Sequence, residues 1–201
     1  PYLTARQITI VDKLAWLQRV SYIGELGWEI YITNEDASTV WDALLKFGME
    51  HGVRPAGYKA LDSLRLEKGY VYWSSDVTPE DNLIEAGLGF CADMSKGNFV
   101  GRDALLRLRE EGPKKRLRTV VIEGNEFPAY GSESVWYKGE SISRLRSAGH
   151  SHTIDRSIGY CYLPISLADP GSEVEIELFG ERIPAKVSLP IHDPKGIRLK
   201  M

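Results

Sequence analysis

Apolar and polar positions alternate with a period of two near the start of the chain and switch to a helical period just afterwards. Residues 7–12 and 16–23 fit strands, the second alternating through Trp16, Gln18, Val20 and Tyr22, and 28–33 fits a returning strand. The glycines of Gly24-Glu25-Leu26-Gly27 predict a tight connection, with Tyr22 just before it and Glu29 and Tyr31 on one face just after it. Asn34 is the expected N-cap of a helix whose buried stripe is Val40, Trp41, Leu44, Leu45 and Phe47, and Gly48 or Gly52 ends it. Pro55 opens a second helix over 56–69, with Asp62 and Arg65 at i,i+3 spacing and Gly69 as its stop. Residues 70–100, rich in Gly, Asp, Asn and Pro, predict irregular chain, and a short helix follows from Gly101 to Glu110.

Glu111-Gly112-Pro113-Lys114 marks a boundary. Beyond it the period is two throughout, in short segments at 117–122, 134–137, 140–147, 157–163, 173–178 and 182–189. That spacing belongs to a small barrel or sandwich. The expected fold class is therefore α+β: a mixed α/β domain over residues 1–112, then a small antiparallel β-barrel or sandwich over 113–201. No internal repeat occurs, which excludes a solenoid.

Composition narrows the function classes. The 201 residues are 43% hydrophobic, ordinary for a chain with a full core, and the net charge of -3 gives no broad basic footprint for nucleic acid or anionic membrane. Lys114, Lys115, Arg116 and Arg118 read as a solvated lead-in to a strand. No apolar run approaches the roughly 20 residues of a membrane helix, and no charged segment precedes an apolar one at the start. The start at Pro1-Tyr2, without Met, reads as a truncation. Cys91 and Cys161, without a CxxC, fit structural thiols in a reducing compartment. Gly87-Leu88-Gly89-Phe90-Cys91-Ala92 loosely fits a dinucleotide loop, but no strand precedes it. His150-Ser151-His152 has ligand-like spacing without a third ligand, so no metal is expected and a barrel loop is the reading.

The chemistry concentrates in residues 19–31. A fixed carboxylate accepts two parallel N–H bonds from an amino-pyrimidinone edge, and Tyr22 or Trp28 supplies an apolar wall, so Glu29 suits a flat, nitrogen-rich ligand such as a reduced folate. Glu29 equally fits a surface carboxylate paired with Arg19, Glu25 a solvated turn residue, and Trp73 a core residue.

Several motifs together resemble the folate-dependent aminomethyltransferase family, that of the glycine-cleavage T-protein. They are Tyr-x-Gly-Glu-x-Gly-x-Glu at Tyr22 to Glu29, Ser-Leu-Arg-Leu-Glu-Lys-Gly-Tyr at Ser63 to Tyr70, Glu-Ala-Gly-Leu-Gly-Phe at Glu85 to Phe90 and Phe-Val-Gly-Arg-Asp-Ala-Leu at Phe99 to Leu105. Ser147 to His150, Ser157 to Tyr160 and Ile183 to Val187 resemble the family's barrel strands. Leu26-Gly27-Trp28, Glu67 to Tyr70 with Trp73, and His192 to Arg198 look most like the C-terminal half of the dimethylglycine and sarcosine dehydrogenases.

The resemblance implies tetrahydrofolate as cofactor and one-carbon transfer giving 5,10-methylenetetrahydrofolate, in glycine cleavage or in dimethylglycine or sarcosine breakdown. The alternative is a non-catalytic folate-binding or regulatory paralogue. It implies that Tyr22 and Glu29 bind the pterin, with Glu25, Tyr31 and Trp73 nearby, and that Arg65 ties its helix to the hairpin. Leu61 stands where the T-proteins carry a folate-binding arginine, which favours the dehydrogenase-like branch. The family's catalytic aspartate belongs to a segment before the residue matching Pro1, so no catalytic residue is assigned here and the chain alone is expected to be inactive. The implied partners are a fused FAD-dependent amine dehydrogenase domain or a lipoyl carrier protein. The expected compartment is the cytoplasm, or the mitochondrial matrix in a eukaryote.

Overall fold

A computed structural model describes residues 1–124 and 128–191. The described chain divides into two compact units that meet at Leu64/Arg65, within a helix. The family-like ending from His192 to Arg198 lies outside the described residues.

The first unit holds a three-stranded antiparallel sheet of β1 (Ala5–Ile10), β2 (Lys13–Gln18) and β3 (Glu29–Tyr31), followed by α1 (Asn34–Gly48). The tight hairpin joins β1 to β2, through Val11 and Asp12 at φ 42° and 66°. Positive φ at both central residues is the geometry that matches strand twist, but Val-Asp lacks the Asn-Gly signature that sequence reading relies on. The strand expected over 16–23 stops at Gln18, and residues 19–28 form a longer connection where a tight Gly-x-x-Gly turn was expected. Arg19 organises it: its guanidinium donates to the Gly27 carbonyl at 3.0 Å and lies 5.1 Å from the Trp28 ring centroid. A side chain closes this loop, so the strands need not turn tightly.

Helix α1 is capped by Thr33, with extended backbone, and not by Asn34, which is the first helical residue. Thr33 accepts from the Asp36 N–H at 3.3 Å, and Asp36 pairs with Lys13 of β2 at 2.8 Å. Of the expected buried stripe only Val40 is enclosed: Leu45 is half-buried, Leu44, Trp41 (54%) and Phe47 (64%) are exposed, and Ala43, outside the stripe, is buried instead.

The second unit begins in the last turn of α2 (Tyr58–Lys68) and continues through irregular chain, α3 (Arg102–Glu111) and six strands. These are β4 (Lys115–Ile122), β5 (Ser134–Tyr137), β6 (Glu140–Ser151), β7 (Arg156–Pro164), β8 (Glu173–Leu178) and β9 (Glu181–Ser188). They close into an antiparallel barrel in the order β4-β7-β6-β5-β8-β9. Its interior is the alternate residues of each strand, including Val120, Ile122, Val135, Leu145, Leu163 and Ile176. Cys161 belongs to this core, where burial pushes its thiol up to about 12 and makes it an inert packing group; Cys91 is exposed.

The end of α2 packs on the barrel's outer face. Gly69, at φ 84°, ends the helix as the sequence predicts: its N–H bonds the Leu66 carbonyl, and the Tyr70 N–H reaches the Arg65 carbonyl at 3.0 Å. Tyr160 of β7 donates its hydroxyl to the same Leu66 carbonyl at 2.7 Å, adding a second donor at the helix end. A Cβ on Gly149 would come 3.1 Å from Leu66 Cδ1, so β6 and the helix end pack closely at this glycine.

Glu67 fixes the β6–β7 corner to α2. The residue is 3% exposed, and its carboxylate accepts from Ser151 Oγ at 2.8 Å, the Thr153 N–H at 3.0 Å and Thr153 Oγ1 at 2.5 Å. Glu67→Ala leaves these donors without their buried acceptor. It is expected to lower unfolding free energy by about 1.5–3 kcal/mol in urea denaturation.

Asp81 links the irregular segment to the barrel, accepting from Thr78 N–H at 3.1 Å and from Lys115 Nζ at 3.0 Å, with Arg146 Nη2 at 3.5 Å. Burial alone would raise this carboxyl, but the bonds from Lys115 and Thr78 outweigh it and hold it below its ordinary 3.8. A depressed folded value contributes stability that is present above the unfolded value and lost as pH falls through the folded one. Acid titration monitored by tryptophan fluorescence is therefore expected to show loss of stability below about pH 4, and Asp81→Asn to flatten that limb.

Candidate functional site: an open sheet face

Antiparallel register decides which residues of the first unit share a surface. Trp16 lies opposite Tyr31 and Gln18 opposite Glu29, so these four side chains stand on one face of the sheet. The other face carries Ala15, 2% exposed, with Ile8, Ile10 and Leu17 partly covered. The face bearing Glu29 is open: Trp16 is 52% exposed and Tyr31 50%.

Tyr31 donates its hydroxyl to Glu29 Oε2 at 2.5 Å. This bond, and then the carboxylate charge, hold the phenol above its ordinary range, so Tyr31 stays a protonated donor at neutral pH. One oxygen of Glu29 is thereby oriented. A carboxylate has about four lone-pair sites, so ample acceptor capacity remains for N–H donors from a ligand.

Of the residues singled out by sequence, Glu29 and Tyr31 come together as expected. Tyr22 and Glu25 are half-buried in the 19–28 connection of the same unit. Arg65 and Trp73 belong to the second unit. Trp73 is 68% exposed and therefore outside the core, in a short parallel bridge with Val77. Arg65 is 1% exposed, and its guanidinium bonds Asp76 Oδ2 at 2.6 Å, the Tyr70 carbonyl at 3.1 Å and Ser147 Oγ at 2.8 Å. The Tyr72 ring centroid lies 4.2 Å from it. An enclosed guanidinium with those partners braces the second unit and has little room for a ligand.

Sequence reasoning named Trp16 and Gln18 as strand residues and missed them as neighbours of Glu29. Pairing the two alternating segments in register would have found them. His150 and His152 stack edge-on at 4.8 Å, and His150 Nε2 lies 3.2 Å from Asp155. Among the described residues no group of three or more His, Cys, Asp or Glu is placed to hold a metal, and no helix is long and apolar enough to cross a membrane.

Residues 1–96 match the GCVT N-terminal domain, and residues 115–192 match the glycine cleavage T-protein C-terminal barrel domain. The chain is 34% identical over 203 residues to mitochondrial dimethylglycine dehydrogenase of Mus musculus, covering 99% of this chain and 23% of that protein. It is 40% identical over 201 residues to the formaldehyde-forming 4-methylaminobutanoate oxidase of Paenarthrobacter nicotinovorans, covering 99% of this chain and 24% of that protein. An aminomethyltransferase of Symbiobacterium thermophilum is 35% identical over 190 residues, 93% of this chain and 50% of its own length. The crystal structure of glycine cleavage system aminomethyltransferase T from Bartonella henselae superposes with a TM-score of 0.81 at 28% identity, covering 89% of this chain and 50% of that one. The chain thus spans about a quarter of the first two relatives and half of the other two. Both matched domains, in order and over nearly all the chain, place it in the glycine cleavage T-protein family.

Proposed function

We propose that this chain is part of a tetrahydrofolate-dependent one-carbon transferase and that the open face of its three-stranded sheet receives the pterin. The observation that carries the reading is the exposed Glu29 carboxylate, oriented by Tyr31 and flanked across the strand by Gln18 and Trp16. The donor set fits the cofactor: a carboxylate suits an N–H edge, an amide supplies both a donor and an acceptor, and exposed aromatics wall a flat ring. When bound, tetrahydrofolate supplies the nucleophilic nitrogen that captures a one-carbon unit. Glu29 binds and orients the edge of the ring, Tyr31 holds Glu29, and Trp16 keeps water from one side. No residue of this chain is given the proton transfer; the family resemblance assigns it to an aspartate preceding the position of Pro1.

The first relatives named are amine dehydrogenases and oxidases about four times longer than the matched stretch, which supports a flavin-dependent amine-oxidising partner domain. A second reading, a free-standing aminomethyltransferase served by a lipoyl carrier, is favoured by the match to a relative of which the chain covers half. Supplying the full-length protein with tetrahydrofolate and either dimethylglycine or sarcosine separates the two. The expected result is 5,10-methylenetetrahydrofolate from an N-methyl amine. Product only from an aminomethyl-lipoyl donor selects the second reading. Folate binding without transfer from any donor would make the protein a non-catalytic paralogue.

A further inference from the structure

Two members of the basic cluster that reads in sequence as a solvated lead-in to a strand, Arg116 and Arg118, are half-buried and line a cavity. In β4, Arg116 and Arg118 lie on the same face as Val120 and Ile122, whose side chains fill the barrel, so both arginines stand at the barrel's end. With Arg109 of α3 they line a cavity of about 460 Å³, within the range of small-molecule sites. None of the described residues lining it is acidic.

Two features show that these charges are incompletely compensated. Arg116 Nε is buried without a hydrogen-bond partner among the described residues. Arg118 donates from Nε to the Ala168 carbonyl at 2.6 Å and from Nη1 to the Leu117 carbonyl at 3.2 Å, both neutral acceptors. Burial, and then the charge of Arg116, press its cation downward, while the charge of Asp169 opposes them. Like charges held close in a partly dry cavity are costly unless an anion joins them. The rest of the wall is apolar, with Leu83, Ile84, Met94 and Leu105.

We propose that this cavity binds an amphiphilic organic oxyanion, whose carboxylate or phosphate meets Arg109 and Arg116 and whose apolar body lies against Leu83, Ile84, Met94 and Leu105. All its residues belong to the second unit, and the inference does not rest on the folate reading. Arginine suits the task because its planar fork holds a carboxylate or a phosphate through two parallel bonds.

The test is a titration of the ¹⁵N-labelled chain with 3-phenylpropionate, phenyl phosphate, inorganic phosphate and the neutral 3-phenylpropan-1-ol, followed by amide shifts. Saturable shifts centred on Gly87, Gly89 and Ala92 are expected with either organic anion, and the tighter one identifies the head group. Inorganic phosphate and the alcohol are expected to bind at least about tenfold more weakly, since each lacks one half of the recognition. The double variant R109Q/R116Q is expected to lose at least about tenfold in affinity for the organic anions. Gly89→Leu offers a charge-neutral second variant, because a Cβ on Gly89 meets no atom within 4 Å and the side chain can narrow the cavity without displacing backbone. Equal binding of the alcohol or of inorganic phosphate, undiminished affinity in both variants, or no saturable shift at these amides would overturn the proposal.

Discussion

Arg65→Met is expected to destabilise the protein by about 3–5 kcal/mol, the largest single-residue effect in the second unit. The side chains of Arg65 and Asp76 are 2% and 0% exposed, so removing the cation strands a carboxylate in a site that water does not reach. Among the described residues Asp76 Oδ1 already lacks a hydrogen-bond partner, and Oδ2 would keep only the Tyr72 N–H at 2.8 Å. The loss extends beyond the pair, because Arg65 also joins α2 to Ser147 of the barrel and to the Tyr70 carbonyl. Urea denaturation followed by far-UV circular dichroism measures the effect. Arg65→Lys should recover little of it, since an ammonium cannot reach Asp76, Ser147 and a carbonyl at once in the geometry of a planar fork. A change below about 1 kcal/mol for Arg65→Met would show that the pair is poorly formed.

Glu29→Ala is the substitution with the largest expected effect on ligand binding. In the full-length protein it is expected to weaken tetrahydrofolate binding by about 1.5–3 kcal/mol, or roughly 10- to 150-fold, because a charge-assisted pair of hydrogen bonds is lost. Stability should change little, since Glu29 lies on the exposed face and its described partner is the exposed hydroxyl of Tyr31. That separation makes the variant useful: a ligand defect without a folding defect marks a binding residue. Arg65→Met is expected to show the opposite pattern, with stability lost first.

The barrel was the most legible part of the chain, and for a physical reason. Each strand has one face in a dry core, so Val120 and Ile122, or Val174, Ile176 and Leu178, recur every second residue and announce both the strand and its buried side. The stop at Gly69 was legible because a left-handed residue after a helix strongly favours glycine. Legibility fails where a side chain does the work of a backbone signal. Residues 19–28 carry two glycines and alternate, yet Arg19 folds back onto Gly27 and Trp28 and opens a long connection. Val11-Asp12 makes the tight turn without glycine.

The candidate site was partly legible. Glu29 and Tyr31 share parity within one short strand, so their common face follows from sequence alone. Trp16 and Gln18 join them only through strand register, which no local pattern states. Arg65 shows the limit more sharply, because Asp76 and Ser147 lie 11 and 82 residues away in sequence. Sequence offers only the i,i+3 neighbour Asp62 as a local partner, whereas the buried carboxylate Asp76 becomes a partner through the fold. Likewise Arg116 and Arg118 read as solvated by composition, and only the closing of the barrel turns them inward.

The sheet face bearing Glu29 is proposed to bind a reduced folate. Calorimetric titration of tetrahydrofolate, under reducing anaerobic conditions, into the full-length protein and its Glu29→Ala variant tests it most directly. The account predicts saturable binding that the substitution weakens by at least about tenfold while the fold persists. Equal affinity in a folded Glu29→Ala variant, or no binding to the unsubstituted protein, would contradict it.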